Sequence, residues 1–181
     1  MKPLKLIFVL LLSFSLSGFG QTKKLTKTGT IFFEASVPSF EEIKAISENV
    51  SCILDTKTGE ISSLALIRGF QFKIALMEEH FNDSFINSAQ YPKATFKGVL
   101  ENFNINTLDG NPKIYKLNGK IKIKGKVKEI TTTARLKKVN NDIEIATDFS
   151  LNTDDFGIEI PSILEKKISK KVNIKADFLV R

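Results

Sequence analysis

Polar and apolar residues alternate along most of this chain. Adjacent side chains of an extended strand point to opposite faces, so each alternating run reads as a strand with one buried side. The pattern is most regular at residues 117–127, where Leu117, Gly119, Ile121, Ile123, Gly125 and Val127 alternate with Asn118, Lys120, Lys122, Lys124 and Lys126. That run predicts a single strand with its lysines in water. Two of its inward positions are glycine, which weakens a strand but permits a bend or the close approach of another group.

The same period predicts a first strand over Thr30–Val37. Val50–Leu54 and Ile61–Ile67 read as a hairpin, because Asp55-Thr-Lys-Thr-Gly59 between them is turn sequence. Phe40–Ile46 has either helix-like spacing or the look of an irregular link. Phe70, Phe72 and Ile74 share one face of the next strand, and Ala94, Phe96, Gly98 and Leu100 one face of a later one. Further strands follow at Ile130–Val139, at Ile143–Leu151 after the Asn140-Asn-Asp142 turn, and at Val172–Val180. Period two stops between Ala75 and Ala89, where Met77, Phe81 and Phe85 recur every fourth residue with Ile86 alongside. This predicts an amphipathic helix over about 77–89. Pro92 bars its continuation. A short second helix is expected over about 161–170.

The expected class is therefore all-β, with about eight strands and two short helices. Strands that each bury one face must close into a barrel or stack as a sandwich, and the alternation fits both.

The first twenty residues stand apart. Lys2 and Lys5 precede an apolar run from Leu6 to Leu16, and Gly18 and Gly20 then supply small residues before a cleavage site, with Gln21 next. This is the form of an export signal, so the expected domain plan is a signal peptide at 1–20 and one domain at 21–181. The apolar run is too short for a permanent membrane span. Lys2 and Lys5 belong to the leader, which leaves 25 of the 27 basic residues against 20 acidic ones. Cys52 is alone, so no internal disulfide can form and packing must hold the domain together.

Three stretches stand out: Glu79-His-Phe-Asn-Asp-Ser-Phe-Ile-Asn-Ser-Ala-Gln-Tyr-Pro-Lys-Ala-Thr-Phe-Lys-Gly98, Leu117-Asn-Gly-Lys-Ile-Lys-Ile-Lys-Gly-Lys-Val-Lys-Glu-Ile130 and Phe149-Ser-Leu-Asn-Thr-Asp-Asp-Phe-Gly-Ile158. Together they resemble the YceI-like family. They occur in family order, and the likeness covers residues 25–181. The resemblance implies a single antiparallel eight-stranded lipocalin-like barrel, exported to the periplasm or secreted. It also implies a long apolar ligand, a polyisoprenoid or similar lipid, held without catalysis.

On that reading the ligand-binding residues are the inward set Phe70, Phe72, Ile74, Phe96, Ile121, Ile123, Phe149 and Phe178. Met77, Phe81 and Phe85 of the helix would form a lid over one barrel mouth. The alternative is a filled barrel, since inward phenylalanines in a small barrel can simply pack, and the protein would then be an envelope interaction module. Catalysis lacks a constellation. One histidine and one cysteine cannot make a common four-ligand zinc site, and Cys52 shares a strand face with Val50 and Leu54. Asp154 and Asp155 are adjacent in an extended segment and point apart. No cofactor is expected. The lysines of 120–128 lack interleaved aromatics and arginines, which argues against nucleic acid and leaves a solvated face or transient contact with anionic lipid.

Overall fold

The computed structural model describes residues 22–181, and its strands form one antiparallel ring. The strands are β1 (Lys23–Ser36), β2 (Lys44–Asp55), β3 (Glu60–Leu66), β4 (Gln71–Phe72), β5 (Lys93–Leu100), β6 (Lys113–Ile123), β7 (Lys126–Val139), β8 (Asp142–Asn152) and β9 (Ile168–Val180). Consecutive strands pair from β5 through β9, β9 pairs with β1, β1 with β2, β2 with β3, and β3 with β5 closes the circle. Eight strands make the barrel. The two-residue β4 is an addition that pairs only with Ala45 and Ile46 of β2. Closure leaves no long free edge, which is how a small all-β chain avoids edge-to-edge association. The eight-stranded antiparallel barrel is thus the fold, and the sandwich alternative falls.

Several elements differ from the alternation. The run at 117–127 is two strands rather than one. Lys124 (φ 47°) and Gly125 (φ 78°) form a two-residue turn in the left-handed region, and Ile123 pairs directly with Lys126. Such a turn matches the twist of the strands it joins. It also shifts the parity of the inward face, so Val127 points outward at 56% exposure while Ile130, Ala134 and Leu136 point in. The apolar period only seemed to run through the turn.

The expected strand at Phe70–Ile74 shrinks to β4, because a single 3-10 turn at Ile67–Gly69 breaks it from β3. Phe40–Ile46 resolves as an irregular link running into β2 at Lys44. No second helix forms at 161–170: residues 162–167 are successive tight turns, tied by Leu164 N–H to Pro161 O and Lys167 N–H to Leu164 O at 2.8 Å each. Ile168 then enters the ladder opposite Ser36. Pairing with β1 and β8 outweighs the local helical spacing.

The helix near residue 77 does form. It runs as α1 (Ala75–His80) and continues as one wider, π-type turn over Phe81–Ile86. It stops at Asn87, whose φ of 57° lets Ser88 N–H reach back to Asn82 O. The first turn is anchored where Glu78 accepts the N–H of Phe72 at 3.1 Å. Arg68 donates to Ser88 Oγ at 3.1 Å and ties the far end to the turn after β3. No helix among the described residues is long and apolar enough to cross a membrane.

The barrel's two ends are unlike. The β2–β3, β5–β6 and β7–β8 connections lie at one end, where Val50, Cys52, Leu54, Leu136, Ile143 and Val180 are essentially without exposure. The β5–β6 connection folds over this end, with Leu108 buried and Phe103 edge-on to Tyr115 at 5.5 Å. This half is a close-packed core. The other end carries the β1–β2 link, α1 with its flanking turns, the β6–β7 turn and the long β8–β9 connection.

Candidate functional site

The second end is hollow. A cavity of about 490 Å³ opens there, within the range of small-molecule sites. Its floor is the top of the packed half, formed by Leu117, Ile145, Ala176 and Phe178. Its walls come from the inward positions of β3, β5, β6, β7, β8 and β9, and its roof from α1 and the turn that follows. Phe40, Leu164 and Lys167 stand at the rim. The distinction between a filled and a hollow barrel therefore divides along the barrel axis.

Of the sequence candidates, Phe70, Phe72, Met77, Phe81, Phe85, Phe96, Ile121, Ile123, Phe149 and Phe178 all line this cavity. Ile74 does not. It lies just before α1, and its carbonyl accepts the N–H groups of Met77 and Glu78, so its role is to start the helix. The truncation of β4 removes it from the strand face it was assigned to.

Four phenylalanines meet between β1 and the roof. Phe33 has ring centroids 5.3 Å from Phe70, 5.7 Å from Phe72 and 5.5 Å from Phe81. Phe81 lies 5.2 Å from Phe72, so the ring cluster fastens the helix to the barrel wall. Tilted and edge-on rings at such distances attract beyond the area they bury. Alternation carries no signal for Phe33, because Ile31, Phe32 and Phe33 are consecutive and an unbroken apolar run hides which side faces in.

Phe156 also lies outside the alternating pattern. It is 2% exposed and lines the cavity from the β8–β9 connection. A short 3-10 turn at Thr153–Phe156 aims it inward, started where Asn152 Oδ1 accepts the Asp154 N–H at 3.0 Å. Asp155 and Asp154 then fasten the turn outward, to Lys128 at 2.7 Å and Lys170 at 3.4 Å. Lys124 donates to the Gly157 carbonyl at 3.1 Å. The Asp-Asp-Phe-Gly stretch thus has its carboxylates on lysines and its ring in the cavity. That inverts the lysine row as well. Lys128 lies on the inward parity of β7 and, beyond the barrel rim, meets this turn instead of core.

The remaining chemistry is sparse. Cys52 lies in the packed half, outside the cavity wall, and burial pushes its thiol up to about 12. A thiol that stays protonated is not a nucleophile. His80 lines the mouth but is exposed. Among the described residues no group of three or more His, Cys, Asp or Glu side chains could hold a metal ion.

The YceI-like domain profile matches residues 33–180. A polyisoprenoid-binding domain from Saccharophagus degradans, implicated in plant cell wall breakdown, superposes with a TM-score of 0.78 at 15% identity, covering 88% of this chain and 98% of that one. Burkholderia cenocepacia BcnA gives 0.68 at 15% identity, with 84% and 96% covered. A Campylobacter jejuni YceI protein gives 0.60 at 16% identity, with 80% and 89% covered. No curated protein matches the sequence significantly. With the profile spanning most of the chain and the barrel shared with these structures, the protein belongs to the YceI-like domain family.

Proposed function

We propose that this protein binds a long apolar chain of the polyisoprenoid class in the hollow half of its barrel, as a carrier or sequestering protein without catalysis. The observation that carries this reading is the cavity itself, walled almost wholly by hydrocarbon and open at one rim. Burial of each CH₂ contributes roughly 0.8 kcal/mol, so a chain needs few polar contacts to be held there. The polyisoprenoid-binding domain from Saccharophagus degradans has the same fold, which supports the ligand class. The leader at 1–20 lies outside the described residues, and its Lys–apolar–Gly18-x-Gly20 form supports a periplasmic or secreted site of action. Transient contact of the lysine-rich β6–β7 hairpin with an anionic membrane face belongs to the same proposal.

The test is native mass spectrometry of protein purified from the periplasm of its own cells, followed by organic extraction. A co-purifying isoprenoid or fatty lipid is the expected result, on a chain that begins at Gln21. Protein that carries no lipid and takes up no long-chain isoprenoid would overturn the binding role. An N-terminus still at Met1 would overturn the export role.

A further inference from the structure

We propose that the cavity has a side portal, a slot in the barrel wall between β7 and β8 through which an apolar chain enters and leaves, clasped by the Lys128–Asp155 pair. The proposal rests on the lipid-binding reading and adds the route that the ligand takes.

The slot is a break in the hydrogen-bond ladder. β7 and β8 pair from Val139–Asp142 up to Ala134–Thr147 and no further. Both strands run on toward the hollow end, β7 paired with β6 as far as Lys126 and β8 with β9 as far as Asn152. Two threonine hydroxyls mark where they part. Thr147 Oγ1 donates to the Thr133 carbonyl at 2.9 Å and Thr132 Oγ1 to the Asp148 carbonyl at 3.1 Å, so side chains bridge where the backbone ladder ends. Beyond them, residues 126–133 of β7 and 148–152 of β8 have no ladder between them. The seam between β2 and β3 also stops short, but there β4 takes up the pairing with β2.

The wall is thin along the slot. An outer recess is lined by Lys128 and Ile130 of β7 and by Ser150, Leu151 and Asn152 of β8. Ile130, Leu151 and Asn152 line the cavity as well, so the same side chains border the cavity and the recess. Turning two apolar side chains aside breaks no hydrogen bond, whereas parting a paired seam would break several. At the rim end the slot is crossed by the Thr153–Phe156 turn, which Asp155 fastens to Lys128 at 2.7 Å. Both partners are half-exposed, and such a pair is weak enough to open and close. The roof yields less readily, since the rings of Phe33, Phe70, Phe72 and Phe81 hold α1 to the wall.

The experiment locks the slot. Thr131 and Ser150 are exposed, each three residues beyond the Ala134–Thr147 pair, and so stand on its two lips. Thr131→Cys and Ser150→Cys in one chain are joined by bismaleimidoethane, with the same variant capped by N-ethylmaleimide as control; the native Cys52 is buried and spared. Stopped-flow transfer of cis-parinaric acid between the protein and phosphatidylcholine vesicles reads loading and release. The cross-linked protein should exchange the probe more slowly than the capped one, on the order of tenfold. Without the cross-link, Asp155→Asn should raise both rates together by about two- to fivefold, the equivalent of one half-exposed ion pair. The cross-link in that background should cancel the gain. Equal rates in cross-linked and capped protein would overturn the portal, and so would an Asp155→Asn gain that survives the cross-link, since the turn would then be opening the rim. Should the cysteine pair fail to fold or to cross-link, Asp155→Asn and Lys128→Gln decide: a shared rise in both rates supports the clasped slot, and unchanged rates overturn it. Wild-type protein that takes up no parinaric acid would overturn the lipid reading itself.

Discussion

The ring of Phe96 rests on the bare backbone of Gly119: a Cβ built on that glycine would stand 2.5 Å from Phe96 Cζ. Gly98, paired with Gly119 across β5 and β6, makes the same allowance at 2.6 Å. The two glycines let the ring lie back against the wall instead of filling the cavity. Gly119→Ala would also press on the Lys97 carbonyl at 2.6 Å, which cannot swing aside. The expected cost is about 1–3 kcal/mol of stability, with Phe96 driven inward and uptake of a long-chain probe reduced. Thermal melting together with a fluorescent lipid titration checks both halves, and unchanged uptake would show that the ring has room elsewhere.

Truncations should separate the packed half from the hollow one. Leu136→Ala removes a side chain with no exposure, and a loss of about 2–5 kcal/mol is expected. Phe72→Ala removes a half-buried ring beside existing space, and about half of the usual 3–5 kcal/mol for a core phenylalanine is expected. Urea unfolding of the two variants gives the comparison. Equal costs per atom removed would mean that the cavity is closed up in solution.

The opposite change fills the space. Ile123 lies on the cavity wall beside the β6–β7 turn. Ile123→Trp should melt within a degree or two of wild type after lipid is stripped, since overpacking costs arise only where no room exists. Uptake of a long isoprenoid should fall sharply. A large drop in melting temperature would place Ile123 against solid core.

The Lys128–Asp155 pair at 2.7 Å joins two half-exposed side chains, so its loss should cost little overall stability, at most about 1 kcal/mol. Its effect should be local. In Lys128→Gln, amide hydrogen exchange is expected to quicken over residues 153–167 while the β1–β2 pairing stays protected. Exchange that rises equally everywhere would mean that the turn is held by Phe156 alone.

Acidity should act through Asp177. Partial burial, and then the like charges of Asp148 and Glu144 on the same outer face, raise its carboxyl above the ordinary 3.8. In the window between 3.8 and the raised value, the native state holds the proton and the unfolded chain does not. Stability therefore falls as pH climbs through that window and is fully recovered below it. Asp177→Asn should melt above wild type at pH 7 and match it near pH 3. The reverse order at neutral pH would show Asp177 engaged in a favourable contact.

Much of this protein could be read from its residues one strand at a time. Alternation places Phe96, Ile121, Phe149 and Phe178 on inward faces because strand geometry is local, and adjacent side chains have no choice but to oppose. The same local rule marks Met77, Phe81 and Phe85 as one helical stripe. It misled where chain reversal kept the beat, as at Lys124-Gly125, and where pairing overruled spacing, as at 161–170. It is silent where apolar residues run together, as at Ile31-Phe32-Phe33.

Whether an inward face meets another side chain or empty space is a different kind of question. Leu136 and Ile123 both point into the barrel, yet the first is packed and the second borders a cavity. The difference comes from what closes each end. The β5–β6 connection lays Leu108 and Phe103 over one end, whereas the other is roofed by a helix fastened to the wall through four tilted and edge-on rings. Most of the strands, most of their inward faces and the helix near residue 77 follow from the residues alone, because those obey the geometry of a few adjacent residues. Only the closed ring, which sets residues far apart in the chain against each other, decided that half the interior would be solid and half would be left open.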